Sequence, residues 1–171
     1  DRMARTLIER GFDPERIVKI YNGMEFNRPE GEFDRAAYLR ETYGAKIEEG
    51  DVLCGIAARL TAVKDIATTV RGFAEALKTA PQLRLFIAGD GEDADMLKKL
   101  CDQLGVRERV TFCGWVSPVM PFFRAMDINL LSSVSETFPY SILEGVCAGC
   151  ATICSDVGGM PELIDTGENG Y

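Results

Sequence analysis

The sequence predicts an α/β fold, a parallel sheet with helices on both faces, on three observations. Five short apolar runs alternate with helical patterns from residue 52 onward, which is the rhythm of βαβ units joined by crossover helices. The first of these runs, DVLCGIAARL, has a continuous apolar core, as a strand buried on both faces requires. The runs end in glycine or polar turns, where an open parallel sheet presents its ligand-binding loops.

The elements follow in chain order. Residues 1 to 12 suit a short helix, with Leu7 and Ile8 among charges and Gly11 at its end. RIVKIYNG is a short β-rich run stopped by Asn22-Gly23, a strong turn signal. Phe26 to Gly31 is polar, holds Pro29 and is expected as a loop. Phe33, Ala36, Ala37, Leu39 and Tyr43 recur at helical spacing, and Gly44 sits where that helix would stop. After Gly50 come a strand over DVLCGIAARL, the loop TAVKD and a helix from about Ile66 to Lys78. LRLFIAGDG is the next strand and turn, Glu92 to Leu104 the next helix, and RVTFCGW the third strand. SPVMPFFRAM makes a short helix, INLLSS a fourth strand, YSILEGVCAG a helix and ATICSDVGG the fifth strand. MPELI is expected to begin another helix, and ENGY to stand where a further strand would start.

Composition narrows the function. A chain of 171 residues is one domain by size and long enough for one sizeable core. With 46% hydrophobic and 27% charged residues it reads as soluble and globular, and no apolar run approaches the roughly 20 residues that cross a bilayer. A net charge of −8 argues against nucleic acid or anionic lipid as a partner, because it repels them at long range. With no histidine, Ser-His and Cys-His nucleophile pairs and His-bound zinc are excluded within the chain. The cysteines at 54, 101, 113, 147, 150 and 154 lie mostly in apolar runs and read as small buried hydrophobes of a reducing cytosol. Cys147, Cys150 and Cys154 lack a fourth ligand, so no metal centre is expected. The start at Asp1, without Met or an apolar leader, predicts a piece of a longer protein.

Charged and glycine-rich positions gather at the expected strand ends. Arg59 and Lys64 follow the first strand; a guanidinium fork and a mobile ammonium together suit a diphosphate, or are simply two solvated cations. Gly89-Asp90-Gly91 follows the second strand, and either admits a phosphate closely or only turns the chain. It lacks the full G-x-G-x-x-G pattern of dehydrogenases. Glu136 precedes the helix whose first turn Pro139 suits, and its plain reading is a charge at the positive end of a helix dipole. Glu144 lies in an otherwise apolar helix, where a carboxylate needs donors. Eight helical residues advance about 12 Å and rotate roughly 80°, so the two glutamates fit separate grips on one extended ligand rather than a close acid/base pair. Ser155 to Gly159 and Glu162 add a glycine turn and another carboxylate at the same edge. The ligand this rim describes is a diphosphate with hydroxyls beyond it.

ETFPYSILE resembles the E-x7-E motif of retaining glycosyltransferases of the GT-B fold. GIAARLTAVKD, LFIAGDGEDADMLKKL and SDVGGMPELI are similar to the nucleotide-sugar-binding C-terminal domain of glycosyltransferase family 4 (group 1), and IYNGMEFNRP to its linker segment. The resemblance covers residues 17 to 171 and implies a Rossmann-like sheet, the C-terminal half of a GT-B fold. Residues 1–171 would then be one donor-binding domain, with 1–50 an interdomain segment, 51–171 the core sheet, and the N-terminal acceptor domain lying outside the chain. It implies that Arg59 and Lys64 meet the donor diphosphate, Glu136 the donor sugar and Glu144 the ribose hydroxyls. The backbone of Phe138, Pro139, Tyr140 and Ser141 would hold sugar and phosphate oxygens, Gly89 and Gly91 would line the cleft, and Val116 would meet the base. The partner implied is a nucleoside diphosphate sugar, with no covalent cofactor, no required metal, a cytoplasmic location and any membrane contact made through the other domain. Met24-Glu25 in the linker, Asp65 after the lysine and Cys150-Ala151 depart from the family pattern, which bears on the sugar and base. A sugar-nucleotide epimerase of similar fold and a non-catalytic nucleotide-binding module are the other readings. On the donor reading, Glu144→Ala and Lys64→Ala each weaken nucleotide binding with little change in melting temperature.

Overall fold

The computed structural model describes residues 2–25 and 31–171. Helix α1 spans Arg2–Glu9 and α2 Arg35–Tyr43. The ends of α2 follow from its sequence: the Asp34 carboxylate accepts from the Ala37 N–H at 2.9 Å, and Gly44 closes the helix in the left-handed conformation at φ 67°, the usual two caps. Strand β1 (Val52–Ala57), α3 (Ile66–Ala76), β2 (Leu83–Ala88), α4 (Ala94–Gln103) and β3 (Val110–Gly114) come next. Then come α5 (Met120–Ala125), β4 (Ile128–Leu131), α6 (Tyr140–Ala148) and β5 (Ala151–Cys154).

The five strands form one parallel sheet in the order β3-β2-β1-β4-β5. The expected α/β class with helices on both faces is therefore observed. Side chains alternate along the strands between two apolar layers. Ile56, Leu85 and Ile87 pack with Ile66, Val70 and Phe73 of α3 and Leu97 and Leu100 of α4. Leu53 and Phe86 pack on the opposite side with Leu39 of α2 and Phe122 and Phe123 of α5. The chain winds outward from β1 to β3 and then returns to place β4 on the other side of β1. The carboxyl ends of β1 and β4 thus flank the point where strand order reverses, which is where such sheets open a crevice for ligand.

Two expectations change. The β-rich run at 16–23 forms no strand: Pro14–Arg16 is a single 3₁₀ turn and the chain then runs on without ladder partners. Strand propensity acts only where a neighbouring strand is available, and this segment crosses the loops at the sheet's carboxyl end instead. MPELI gives a 3₁₀ turn, Met160–Glu162, rather than a helix. The chain end does lie beside β5, with Tyr171 N–H donating to the Thr152 carbonyl at 2.9 Å. The loop expected over Phe26 to Gly31 falls, except for Gly31, outside the described residues.

Candidate functional site

The loops after β1 and β4 converge at the switch point. Lys64 ends a 3₁₀ turn, Ala62–Lys64, set between β1 and α3, and its Nζ donates to Oε1 of Glu136 from the β4–α6 loop. The same oxygen accepts from the Ser133 hydroxyl at 2.7 Å. Side-chain exposure is 23% for Lys64 and 10% for Glu136, so the pair is sheltered and each charge depends on the other. The loops are also joined through their backbones: Val134 N–H donates to the Val63 carbonyl at 3.0 Å. Ser132 adds a hydroxyl bond to the Asp65 carbonyl at 2.8 Å. The Arg59 side chain, by contrast, is exposed and makes no hydrogen bond or ion pair among the described residues.

Neighbouring turns press on these loops, and their glycines are required by that contact. A Cβ on Gly89 (φ 135°) would lie 1.9 Å from the Ala58 carbonyl oxygen, and one on Gly158 (φ 56°) 1.7 Å from the Glu136 carbonyl oxygen. The Gly89 and Gly91 turn, expected to line a cleft, therefore packs on the β1 loop, with Leu60 N–H bonded to the Asp90 carbonyl at 2.9 Å. The Ser155 to Gly159 turn is held as firmly, with Gly159 N–H donating to the Thr137 carbonyl at 2.8 Å.

Helix α6 starts at Tyr140, with Pro139 at its N-cap and no side-chain cap. Its first N–H groups are thus unsupplied by any side chain, a position that favours anionic oxygens. Pro139 is buried, Tyr140 is half exposed, and the half-buried Phe138 ring lies 5.0 Å from that of Tyr21. From below, the Asn129 amide of β4 donates to the Ser141 carbonyl at 2.9 Å, and Gly145 leaves room for that amide. Sequence reasoning passes over Asn129, Ser133 and Tyr21; the signal for Asn129 is an amide in an apolar strand.

Glu144 sits in the second turn of α6, half buried, with no hydrogen-bond or ion-pair partner among the described residues. Burial pushes its carboxyl above the usual carboxylate range, with no contribution from Glu136. The helical ruler between the two glutamates does not apply, because Glu136 precedes the helix. They are nonetheless separate: Glu136 is engaged by Lys64 and Ser133, and neither of these reaches Glu144. Glu162 is not open to a ligand either, since Tyr21 and Lys19 donate to it and hold its carboxyl below the usual range. Val116, after β3, packs partly against the α5 layer.

The ion pair also alters the expectation for Lys64→Ala, which would leave the Glu136 carboxylate sheltered without its cation and so lowers stability as well as affinity. Burial pushes the thiols of Cys54 and Cys150 up to about 11 and that of Cys113 up to about 12, so these three stay protonated at neutral pH. Among the described residues no group of three His, Cys, Asp or Glu is placed to hold a metal ion, and no helix is long and apolar enough to cross a membrane. An apolar cavity of ≈ 450 Å³ lies between α3 and the sheet face at β4 and β5, lined by Gly72, Phe73, Ile128, Leu130 and Ile153. None of its lining residues is charged, so it does not match a phosphate ligand.

A parallel sheet whose strand order reverses, with a cation–carboxylate pair and an uncapped helix start at the reversal, defines the doubly wound class of α/β domain. The profile of glycosyl transferases group 1 matches residues 43–171, and the chain belongs to that family. It is 34% identical over 166 residues to the uncharacterized glycosyltransferase MJ1607 of Methanocaldococcus jannaschii, covering 92% of this chain and 41% of that protein. It is 31% identical over 133 residues to the N-acetyl-alpha-D-glucosaminyl L-malate synthase of Bacillus anthracis, covering 78% of this chain and 34% of the synthase. The Anabaena Alr3699/HepE structure in complex with UDP-glucose superposes with a TM-score of 0.86 at 25% identity, over 98% of this chain and 46% of that one. The C-terminal domain of the group 1 protein LpcC from Francisella tularensis superposes with a TM-score of 0.72 at 26% identity, over 87% of this chain and 78% of that one. The chain thus spans less than half the length of the curated relatives named here.

Proposed function

We propose that this chain is the donor-binding domain of a retaining glycosyltransferase that moves a hexose from a nucleoside diphosphate sugar to an acceptor hydroxyl. The observation that carries the reading is the Lys64–Glu136 pair across the β1–β4 switch point, with an exposed Arg59 on the same loop and the uncapped start of α6 beside it. In this arrangement Arg59, Lys64 and the N–H groups of Tyr140 and Ser141 take the diphosphate. Glu136, freed from Lys64 when a phosphate competes for the ammonium, faces the sugar. Glu144 accepts from the ribose hydroxyls, which replaces the donors it lacks in the free chain.

During transfer the bond from the anomeric carbon to the phosphate oxygen breaks and the electron pair stays on the leaving diphosphate. The bond from the acceptor oxygen to the same carbon forms on the same face. Cations preorganised around the diphosphate stabilise that charge as it develops, and no step calls on a protein-bound metal or on a cofactor. The acceptor and its deprotonation belong to a second, N-terminal domain. The reading places the enzyme in the cytoplasm, at the inner face of the membrane where the acceptor is a lipid.

The test is calorimetric titration of the chain with uridine, guanosine and adenosine diphosphates. Uridine diphosphate is tried first, because the Anabaena relative was solved with UDP-glucose. Saturable binding of one of the three is the expected result, and no heat from any of them, with the chain folded, overturns the reading.

A further inference from the structure

The segment from Ile17 to Glu25 forms no helix or strand, and Val18 and Ile20 are 80% and 86% exposed. Side chains tie it to two of the loops that build the rim. Asn22 Nδ2 donates to the Phe138 carbonyl at 2.8 Å. The Tyr21 ring rests against that of Phe138, centroids 5.0 Å apart. On the other side Lys19 Nζ donates to Glu162 Oε2 at 3.1 Å, and the Tyr21 hydroxyl donates to the same oxygen. The segment therefore bridges the β4–α6 loop to the turn after β5.

The Phe138 carbonyl is the point of interest. It closes the loop that carries Glu136, and the peptide it belongs to has no N–H, because the next residue is Pro139. The donor side of that peptide can form no anchor, so the Asn22 bond to the carbonyl helps set its orientation, together with the Gly159 N–H bond to the neighbouring Thr137 carbonyl. That orientation fixes how the chain enters α6, whose first N–H groups no side chain caps. A hydrogen bond from an exposed, irregular segment adds little to global stability, since such segments open at low cost. Its consequence is local.

We propose that Asn22, aided by Tyr21, is a positioning residue for the donor diphosphate. It acts through the Phe138 carbonyl to hold the first turn of α6 at the angle where its free N–H groups meet the second phosphate. This rests on the donor-site reading above. The role assigned to Asn22 is indirect, through the Phe138 carbonyl.

The experiment compares wild type, Asn22→Ala and Asn22→Leu, which keeps the approximate shape but loses the donor without adding a charge. Each is titrated with the nucleoside diphosphate that wild type binds and with the matching monophosphate, and melting temperatures are recorded. Loss of one orienting hydrogen bond weakens diphosphate binding about five- to tenfold in both variants. Monophosphate affinity changes less than about twofold and the melting temperature less than about 2 °C, as befits an exposed contact. Wild-type affinity for the diphosphate in both variants overturns the positioning role while leaving the donor site intact. A loss shared equally by both nucleotides, accompanied by a fall in melting temperature, also overturns it, because it marks a structural contact. If wild type binds no nucleotide, the donor-site reading itself fails, and this role with it.

Discussion

Lys64 and Glu136 stand 72 positions apart in the chain, and nothing local in the sequence brings them together. Their types were legible, as a cation after one strand and a carboxylate after another. Their pairing was not, because it depends on strand order, and sequence gives the strands without their neighbours. The pair makes Lys64→Ala a double lesion. Leaving the sheltered Glu136 without its cation costs about 1–3 kcal/mol, which for a domain of this size lowers the melting temperature by about 2–10 °C. Calorimetry with the diphosphate should show at least about a tenfold loss as well, the size of one charge-assisted contact. Glu144 behaves differently. Its folded carboxyl titrates above the ordinary glutamate value through burial, so the folded chain keeps a proton that the unfolded chain has released. The stability this confers is present in full below the unfolded value and is lost as pH rises through the folded one. Glu144→Gln is therefore expected to melt higher than wild type at pH 7 to 8, with the gap closing toward pH 4. On the proposed donor reading, ribose hydroxyls donate to the ionised form, so wild-type affinity for UDP-glucose, whose phosphates stay ionised, is expected to fall on acidification through the same range. The glutamine variant binds more weakly at pH 7 and shows no such fall, which calorimetry at several pH values reads directly.

At the scale of elements, the strands were legible because parallel strands must be apolar and because glycines and prolines mark their ends. The two elements that differ from expectation do so for a common reason. RIVKIYNG has strand composition and MPELI begins like a helix, but each lies over the sheet's carboxyl end, where the first has side-chain ties in place of a ladder and the second keeps only a single turn of backbone bonds. The glycine turns were legible as turns only; that they pack backbone on backbone depends on which loops the sheet order makes neighbours. Gly158 shows how little room that packing leaves. An added Cβ meets the Glu136 carbonyl oxygen at 1.7 Å in a left-handed backbone, so Gly158→Ala must displace the loop bearing the ion pair. A loss of at least about 2 kcal/mol is expected from strain and displacement together, seen as a melting temperature lower by about 4 °C or more, with nucleotide affinity reduced. Gly149, also left-handed at φ 94° but with nothing within 4 Å, provides the control. Its alanine variant carries the backbone strain of about 1–2 kcal/mol and leaves affinity unchanged.

For the molecule as a whole, the order β3-β2-β1-β4-β5 matters more than any single contact, since it puts the loops after β1 and β4 side by side. The α/β class was readable from alternation alone, and the meeting of the loops after β1 and β4 follows once the reversal of order is known. Charge separates two candidate regions: the apolar cavity over β4 and β5 is uncharged in its lining, whereas the rim carries the Lys64–Glu136 pair. The two regions make opposite predictions for where a nucleotide leaves its mark. Hydrogen exchange measured by mass spectrometry, with and without saturating UDP-glucose, separates them most directly. Protection is expected over residues 59–64 and 133–144, with none gained in the part of α3 around Gly72 or along β5. Protection centred on those cavity-lining segments, with the rim loops unchanged, would contradict the assignment of the switch point as the donor site.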